Sequence, residues 1–264
     1  LWVGTYNGGL NRIDLETNEV EVFKSNEQVA GAIGANGITS IMRSSSGSLL
    51  VGTYGGGLSV YSESSGTFTQ FKYSEEDVST ISNNMVIALY QDSLGDVWVG
   101  TEDGLNRFNE SSGSFERFKR DASDPNTISS DMIWAFYEDQ DNTLWLGSAG
   151  GGLMSWGKSD RIRSQQIIVN HSSEVRLPSS NIYGILPDED GNLWLSHNRG
   201  VTQFNPETLV SRQYSERHGL QGSEFNMGAA FRTRDGRIFF GGSQGFNIIG
   251  SDFIKRRTPP PEVN

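Results

Sequence analysis

Val97-Trp-Val-Gly-Thr-Glu-Asp-Gly-Leu-Asn-Arg-Phe-Asn-Glu-Ser-Ser-Gly-Ser-Phe-Glu-Arg-Phe118 reads as three short strands joined by two tight turns. Trp98 and Val99 begin it, Leu105 and Phe108 continue it, and Phe115 and Phe118 close it. Gly104 and Gly113 mark the turns, where positive φ costs least without a Cβ. The same pattern opens elsewhere at Leu1–Thr5, Leu49–Thr53, Leu144–Ser148, Leu193–His197 and, most altered, Ile238–Gly242. Its fourth position is Gly4, Gly52, Gly100, Gly147, Ser196 and Gly241, at intervals of 48, 48, 47, 49 and 45. A near-fixed period in this range is the mark of a repeat architecture.

Each complete unit predicts a four-stranded antiparallel meander, here labelled a to d. The second has strand a at Ile38–Met42, b at Leu49–Thr53, c at Leu58–Tyr61 and d at Phe68–Lys72. The next three follow the same order, with strand d of the fourth unit expected near Ser164–Val169. The first unit lacks strand a, and the last has no clear strand d. One such sheet cannot bury both faces, so its neighbours must stack on it. The reading is all-β: a partial β-propeller of four-stranded antiparallel blades, with about five to six present. The stack falls to Trp2, Trp98, Trp145 and Trp194, with Phe23, Phe71 and Phe118 on strand d.

The 264 residues suffice for one large β domain, and 32 glycines suit its turn density. A net charge of −11 argues against nucleic acid, whose phosphates require a basic surface. The absence of cysteine fits a reducing compartment or an exported chain that needs no disulfide. The sequence shows no membrane span. It starts inside a repeat, so it is expected to be a piece of a longer protein. Blades are expected over residues 1–252, and 253–264, with Pro259-Pro260-Pro261, as a linker into a further domain.

Between strands a and b the turns are acidic: Gln91–Gly95, Glu138–Asn142 and Asp188–Gly191. No Glu stands twelfth, as a calcium loop requires, and hydrophobic strands resume at once, so hairpin turns are expected. Glu189 and Ser93 occupy the place where a sialidase-type Asp-box wants Asp, which excludes that motif.

The repeat Asp-x-x-Gly-x-Leu-Trp-x-Gly-Thr followed by Gly-Gly-Leu-x-x-Phe resembles the two-component regulator propeller repeat. Asp92, Gly95, Trp98, Gly100, Thr101, Gly104, Leu105 and Phe108 carry it, and Asp188 to Phe204 carries it again with Ser196 for Gly. His218–Asn226 and Phe239–Asn247 are similar to the terminal blades of such sensors. The resemblance implies the periplasmic sensor region of a bacterial receptor, with a histidine kinase or diguanylate cyclase beyond the membrane. It implies a homodimer through the full-length receptor, and a β-sandwich domain after the Pro-rich exit.

A ligand is expected where the b–c and d–a loops gather at one end of the channel. The candidate residues are Tyr54, Asn84, Asp131, Trp134, Tyr183, His197 and Arg199, suited to an unidentified polar small molecule or oligosaccharide. The plain structural alternative is that Asn84 and Asp131 cap turns and Trp134 fills the core. His197 and Arg199 break a pattern of small residues. No catalytic set, metal site or cofactor motif stands out, since His171 and His218 lie in other loops. The other classes are a protein-binding scaffold, which would show an exposed apolar patch, and a propeller lyase resembling streptogramin-inactivating enzymes. The lyase would need a pair such as His197 with Glu102 or Glu224.

Overall fold

The computed structural model describes residues 1–250 as six antiparallel sheets. Blade 1 is β1 (Trp2–Gly4), β2 (Leu10–Ile13) and β3 (Val20–Phe23). Blade 2 is β4 (Ile38–Arg43), β5 (Leu49–Thr53), β6 (Leu58–Ser62) and β7 (Thr67–Phe71). Blade 3 is β8 (Val86–Gln91), β9 (Val97–Thr101), β10 (Gly104–Asn109) and β11 (Ser114–Phe118). Blade 4 is β12 (Ile133–Glu138), β13 (Leu144–Ser148), β14 (Gly152–Trp156) and β15 (Ile168–Asn170), with helix α1 (Lys158–Ile162) before β15 and α2 (Ser172–Val175) after it. Blade 5 is β16 (Gly184–Pro187), β17 (Leu193–His197), β18 (Gly200–Asn205) and β19 (Val210–Tyr214). Blade 6 is β20 (Phe225–Arg232), β21 (Ile238–Gly242) and β22 (Gly245–Ile249). The expected linker, residues 253–264, lies outside the described residues.

Strand a is innermost. β4 touches β8, β8 touches β12, β12 touches β16 and β16 touches β20, so these strands surround the propeller axis. Strand b alternates its side chains between two neighbours, as a strand's period of two requires. Leu49 and Val51 enter the core shared with blade 1, while Leu50 enters the core shared with blade 3. Five such cores join consecutive blades. The core between blades 3 and 4 packs Trp98 and Phe118 against Trp156, with ring centroids 5.4 and 5.1 Å from it.

The repeating glycine has a steric cause. A Cβ at Gly100 would lie 2.5 Å from the Ile133 carbonyl oxygen, and one at Gly147 would lie 2.8 Å from Ile182 Cγ2. Strand b passes so close to the start of the next blade that no side chain fits. Blade 5 departs with Ser196, and there the paired residue on strand a is Gly184.

One expectation needs correcting. Residues 164–167 are not part of strand d in blade 4, where β15 starts at Ile168. The c–d turn, a short link such as Glu110–Gly113 in blade 3, is here replaced by α1 and its flanks. Arg161 on α1 is fully buried, which fixes the insertion against the blades.

The terminal blades leave open the faces that the internal blades cover. Leu1 is 62% exposed, whereas its equivalents Leu49, Val97, Leu144 and Leu193 are 3% exposed or less. Phe246 is 63% exposed, whereas its equivalents Leu58, Leu105, Leu153 and Val201 are all at 0%. Val20 and Val22 at one end, and Phe231 and Ile248 at the other, extend these faces.

Candidate functional site

The two ends of the blades differ in chemistry. At the a–b turn end, one aspartate organises the turn in each of blades 3, 4 and 5. Asp92 Oδ1 accepts the backbone N–H groups of Leu94 and Asp96, and its Oδ2 accepts Trp98 Nε1 at 2.9 Å. Asp139 does the same for Asp141, Thr143 and Trp145, and Asp188 for Asp190, Asn192 and Trp194. The acidic turns are therefore hairpin supports. Among the described residues no group of three or more His, Cys, Asp and Glu could hold a metal ion. In blade 3 the buried Arg161 guanidinium joins this arrangement, 3.5 Å from Asp92 Oδ2 and 2.5 Å from Glu138 Oε1. Burial pushes the Asp92 carboxyl above its ordinary range, although Trp98 and Arg161 pull it down.

At the opposite end, the b–c and d–a loops meet. Asn84 and Asp131 serve the backbone there. Asn84 Oδ1 accepts Tyr73 N–H at 2.7 Å and its carbonyl accepts Gly57 N–H at 2.9 Å. Asp131 Oδ1 accepts Arg120 N–H at 2.7 Å and its carbonyl accepts Gly104 N–H at 2.7 Å. Asn36 repeats the pattern with Ser25 and Gly9. These side chains hold strand d's exit against the next blade, the capping role that Asn and Asp fill in turns.

His197 is buried at 1% exposure, inside the fold instead of on the channel mouth. Its Nδ1 accepts Arg199 N–H at 3.1 Å, so Nε2 carries the proton and donates to Thr202 Oγ1 at 2.9 Å. Thr101, at the same place in blade 3, uses its hydroxyl alike: Oγ1 accepts Asp103 N–H and donates to the Gly104 carbonyl. His197 thus does in blade 5 what a threonine does elsewhere. Burial, with the Arg199 charge second, lowers its pKa to about 4, so the ring is neutral near pH 7. Both ring nitrogens are thus engaged within blade 5. Arg199 is exposed, and its carbonyl accepts Gln213 Nε2.

Two aromatic pairs remain at this end. Tyr54, 51% exposed, lies with its ring centroid 6.0 Å from that of Tyr6, which is 71% exposed. Trp134 and Tyr183 are half-buried with centroids 5.3 Å apart, across blades 4 and 5. Trp134 sits where β12 slips register against β13, between Ile133 and Ala135. A bulge of this kind re-aims a side chain out of the ladder. Trp134 belongs to none of the five inter-blade cores found among the described residues. Tyr183 packs its ring against the core of blades 5 and 6 and donates its hydroxyl to Glu224 Oε1 at 3.2 Å. Burial, with the Glu224 charge next, raises the Tyr183 phenol above its ordinary value and keeps it a donor.

The structure therefore brings Trp134 and Tyr183 together, leaves Tyr54 on another part of the rim, and gives Asn84, Asp131 and His197 local structural tasks. The Tyr6 partner of Tyr54 and the Glu224 partner of Tyr183 come from loops distant in sequence, so no local motif pairs them. The Asp–Trp pairs had a signal in the repeat, a constant spacing of six residues.

Residues 80–103, 127–150 and 176–199 match the family described as two component regulator propeller. These three segments are similar to that repeat, and each match spans one of the three Asp–Trp pairs. A histidine kinase from Formosa agariphila is 29% identical over 84 residues, which is 32% of this chain and 6% of that protein. The extracellular domain of a hybrid two component system from B. thetaiotaomicron superposes with a TM-score of 0.75 at 20% identity, covering 95% of this chain and 32% of that one. PorZ, a surface component of the type-IX secretion system of Porphyromonas gingivalis, superposes at 0.69 with 17% identity, over 93% of this chain and 36% of that one. The chain thus spans a small part of the kinase it matches and about a third of each solved chain, and these structural likenesses establish the propeller fold.

Proposed function

We propose that this chain, with its two component regulator propeller repeats, is part of the extracytoplasmic sensor region of a bacterial transmembrane receptor. It binds a polar small molecule or oligosaccharide at the loop end of its channel. The output lies in a histidine kinase or diguanylate cyclase elsewhere in the receptor, which works as a homodimer. The localisation is periplasmic. No helix among the described residues is long and apolar enough to cross a membrane, which accords with a module lying outside the bilayer.

The observation that carries the reading is the Trp134–Tyr183 pair. Aromatic faces with a polar handle at their edge suit a sugar, whose CH-rich face packs on a ring while its hydroxyls hydrogen-bond. To signal, the ligand must bind one receptor arrangement better than another, because equal binding shifts nothing. A thermal-shift screen against glycans and polar metabolites tests the reading. At a hundred times its dissociation constant a ligand adds about 2.7 kcal/mol. A library-wide absence of any shift would remove the sensor reading.

A second reading is favoured by the open faces of blades 1 and 6. Contiguous apolar surface of that kind marks an interaction site. Further blades of the same repeat, or a protein partner, would cover Leu1 and Val22 at one end and Phe231 and Phe246 at the other.

A further inference from the structure

We propose that the Trp134–Tyr183 platform, with Glu224 at its edge, selects an amino sugar over the equivalent sugar bearing a hydroxyl. This rests on the sensor reading above and names the ligand chemistry of the same site. Three observations point to a cationic ring. First, the platform is a pair of adjoining aromatic faces, and the face of an indole or phenol attracts an ammonium group as well as a CH-rich ring. Second, the group at its edge is a carboxylate. Glu224 is exposed and accepts the Tyr183 hydroxyl at Oε1, which fixes one oxygen beside the platform. A carboxylate accepts several hydrogen bonds, so one phenol leaves it capacity for an ammonium donor. Third, the chain carries a net charge of −11, a field that draws cationic ligands in and turns polyanionic ones away.

The specificity comes from where the charges meet. A sugar ring stacked on Trp134 and Tyr183 can bring a ring substituent towards Glu224. An ammonium there gains a charge-assisted hydrogen bond, a hydroxyl gains a weaker one, and a uronate meets a like charge. Tyr183 is a positioning residue in this scheme as well as a stacking surface, because its hydroxyl holds the carboxylate.

The test uses two probes that differ at C2 of each ring, ammonium against hydroxyl: the tetramer of glucosamine and cellotetraose. Calorimetric titration at low salt compares the wild-type chain with Glu224→Gln, an exposed change that keeps size and leaves the fold intact. The wild type should bind the glucosamine tetramer about fivefold more tightly, the scale of a partly exposed ion pair. In Glu224→Gln the glucosamine tetramer should lose most of its advantage, with cellotetraose unchanged. Equal affinities in the wild type, or a preference undiminished in Glu224→Gln, would overturn the assignment. So would binding of neither probe, and in that case a hit from the wider glycan screen would still uphold the sensor reading.

Discussion

Trp98 donates its indole N–H to Asp92 Oδ2 at 2.9 Å, across the turn that joins β8 to β9. The same bond recurs from Trp145 to Asp139 at 2.8 Å and from Trp194 to Asp188 at 3.0 Å. One carboxylate thus ties the turn's backbone to the large side chain that fills the next inter-blade core. Asp139→Ala removes three hydrogen-bond acceptances at once and strands the Trp145 indole N–H. It should cost about 1–3 kcal/mol in a denaturant titration. A loss below a few tenths would mean that the carboxylate is incidental.

Arg161 lies between two carboxylates with no exposed surface of its own. Arg161→Met keeps the volume and leaves Asp92 and Glu138 without their counter-ion. The expected loss is about 3–5 kcal/mol, the usual effect of breaking a buried pair. Adding Asp92→Asn and Glu138→Gln to it should recover part of that loss, since the stranded charges are then gone. An Arg161→Met chain as stable as the wild type would contradict the clamp.

His197 makes stability depend on acid. Its unfolded value is 6.5 and its folded value about 4, so between these the unfolded chain binds more protons. Stability is therefore fully present above pH 6.5 and is lost as pH falls towards 4, by roughly 3 kcal/mol at about 1.4 kcal/mol per unit. Burial of Asp92 acts in the opposite direction, because a raised carboxyl favours the folded state at lower pH. The comparison is accordingly with His197→Asn, whose stability should change less across this window. Parallel curves for the two proteins would rule out His197 as the source.

The architecture was legible because it is written several times. Strand b at Leu49–Thr53, Val97–Thr101 and Leu144–Ser148 is bounded in the structure as its pattern predicts. Repetition also hid the exceptions. Among the described residues, helix α1 replaces a turn in one blade only, and its short polar sequence carries no strong helical period. His197 stood out as an oddity in a column of small residues, which invites a functional reading. Its burial and its partner Thr202 show that an imidazole can stand in for Thr. The mouth was harder to read, because Trp134, Tyr183 and Glu224 lie on three blades and only the curvature of the propeller joins them.

The open terminal faces should make the isolated chain associate. Phe246→Glu and Val22→Glu place like charges at exposed positions on the two faces, where the cost to folding is small. Sedimentation velocity should show concentration-dependent assembly in the wild type and a largely monomeric double variant. Monomeric wild-type protein at high concentration would show that these faces are not sticky in solution.

The most direct test of the central claim is the affinity of a ligand from the glycan and metabolite screen for Trp134→Ala, measured by calorimetry beside its melting temperature. Trp134 lies outside the five inter-blade cores, so the variant should melt close to the wild type. Loss of the stacking face should weaken binding about tenfold, or about 1.4 kcal/mol. Unchanged affinity in Trp134→Ala, and again in Tyr183→Ala, would place the ligand elsewhere and contradict a sensor built on the channel mouth.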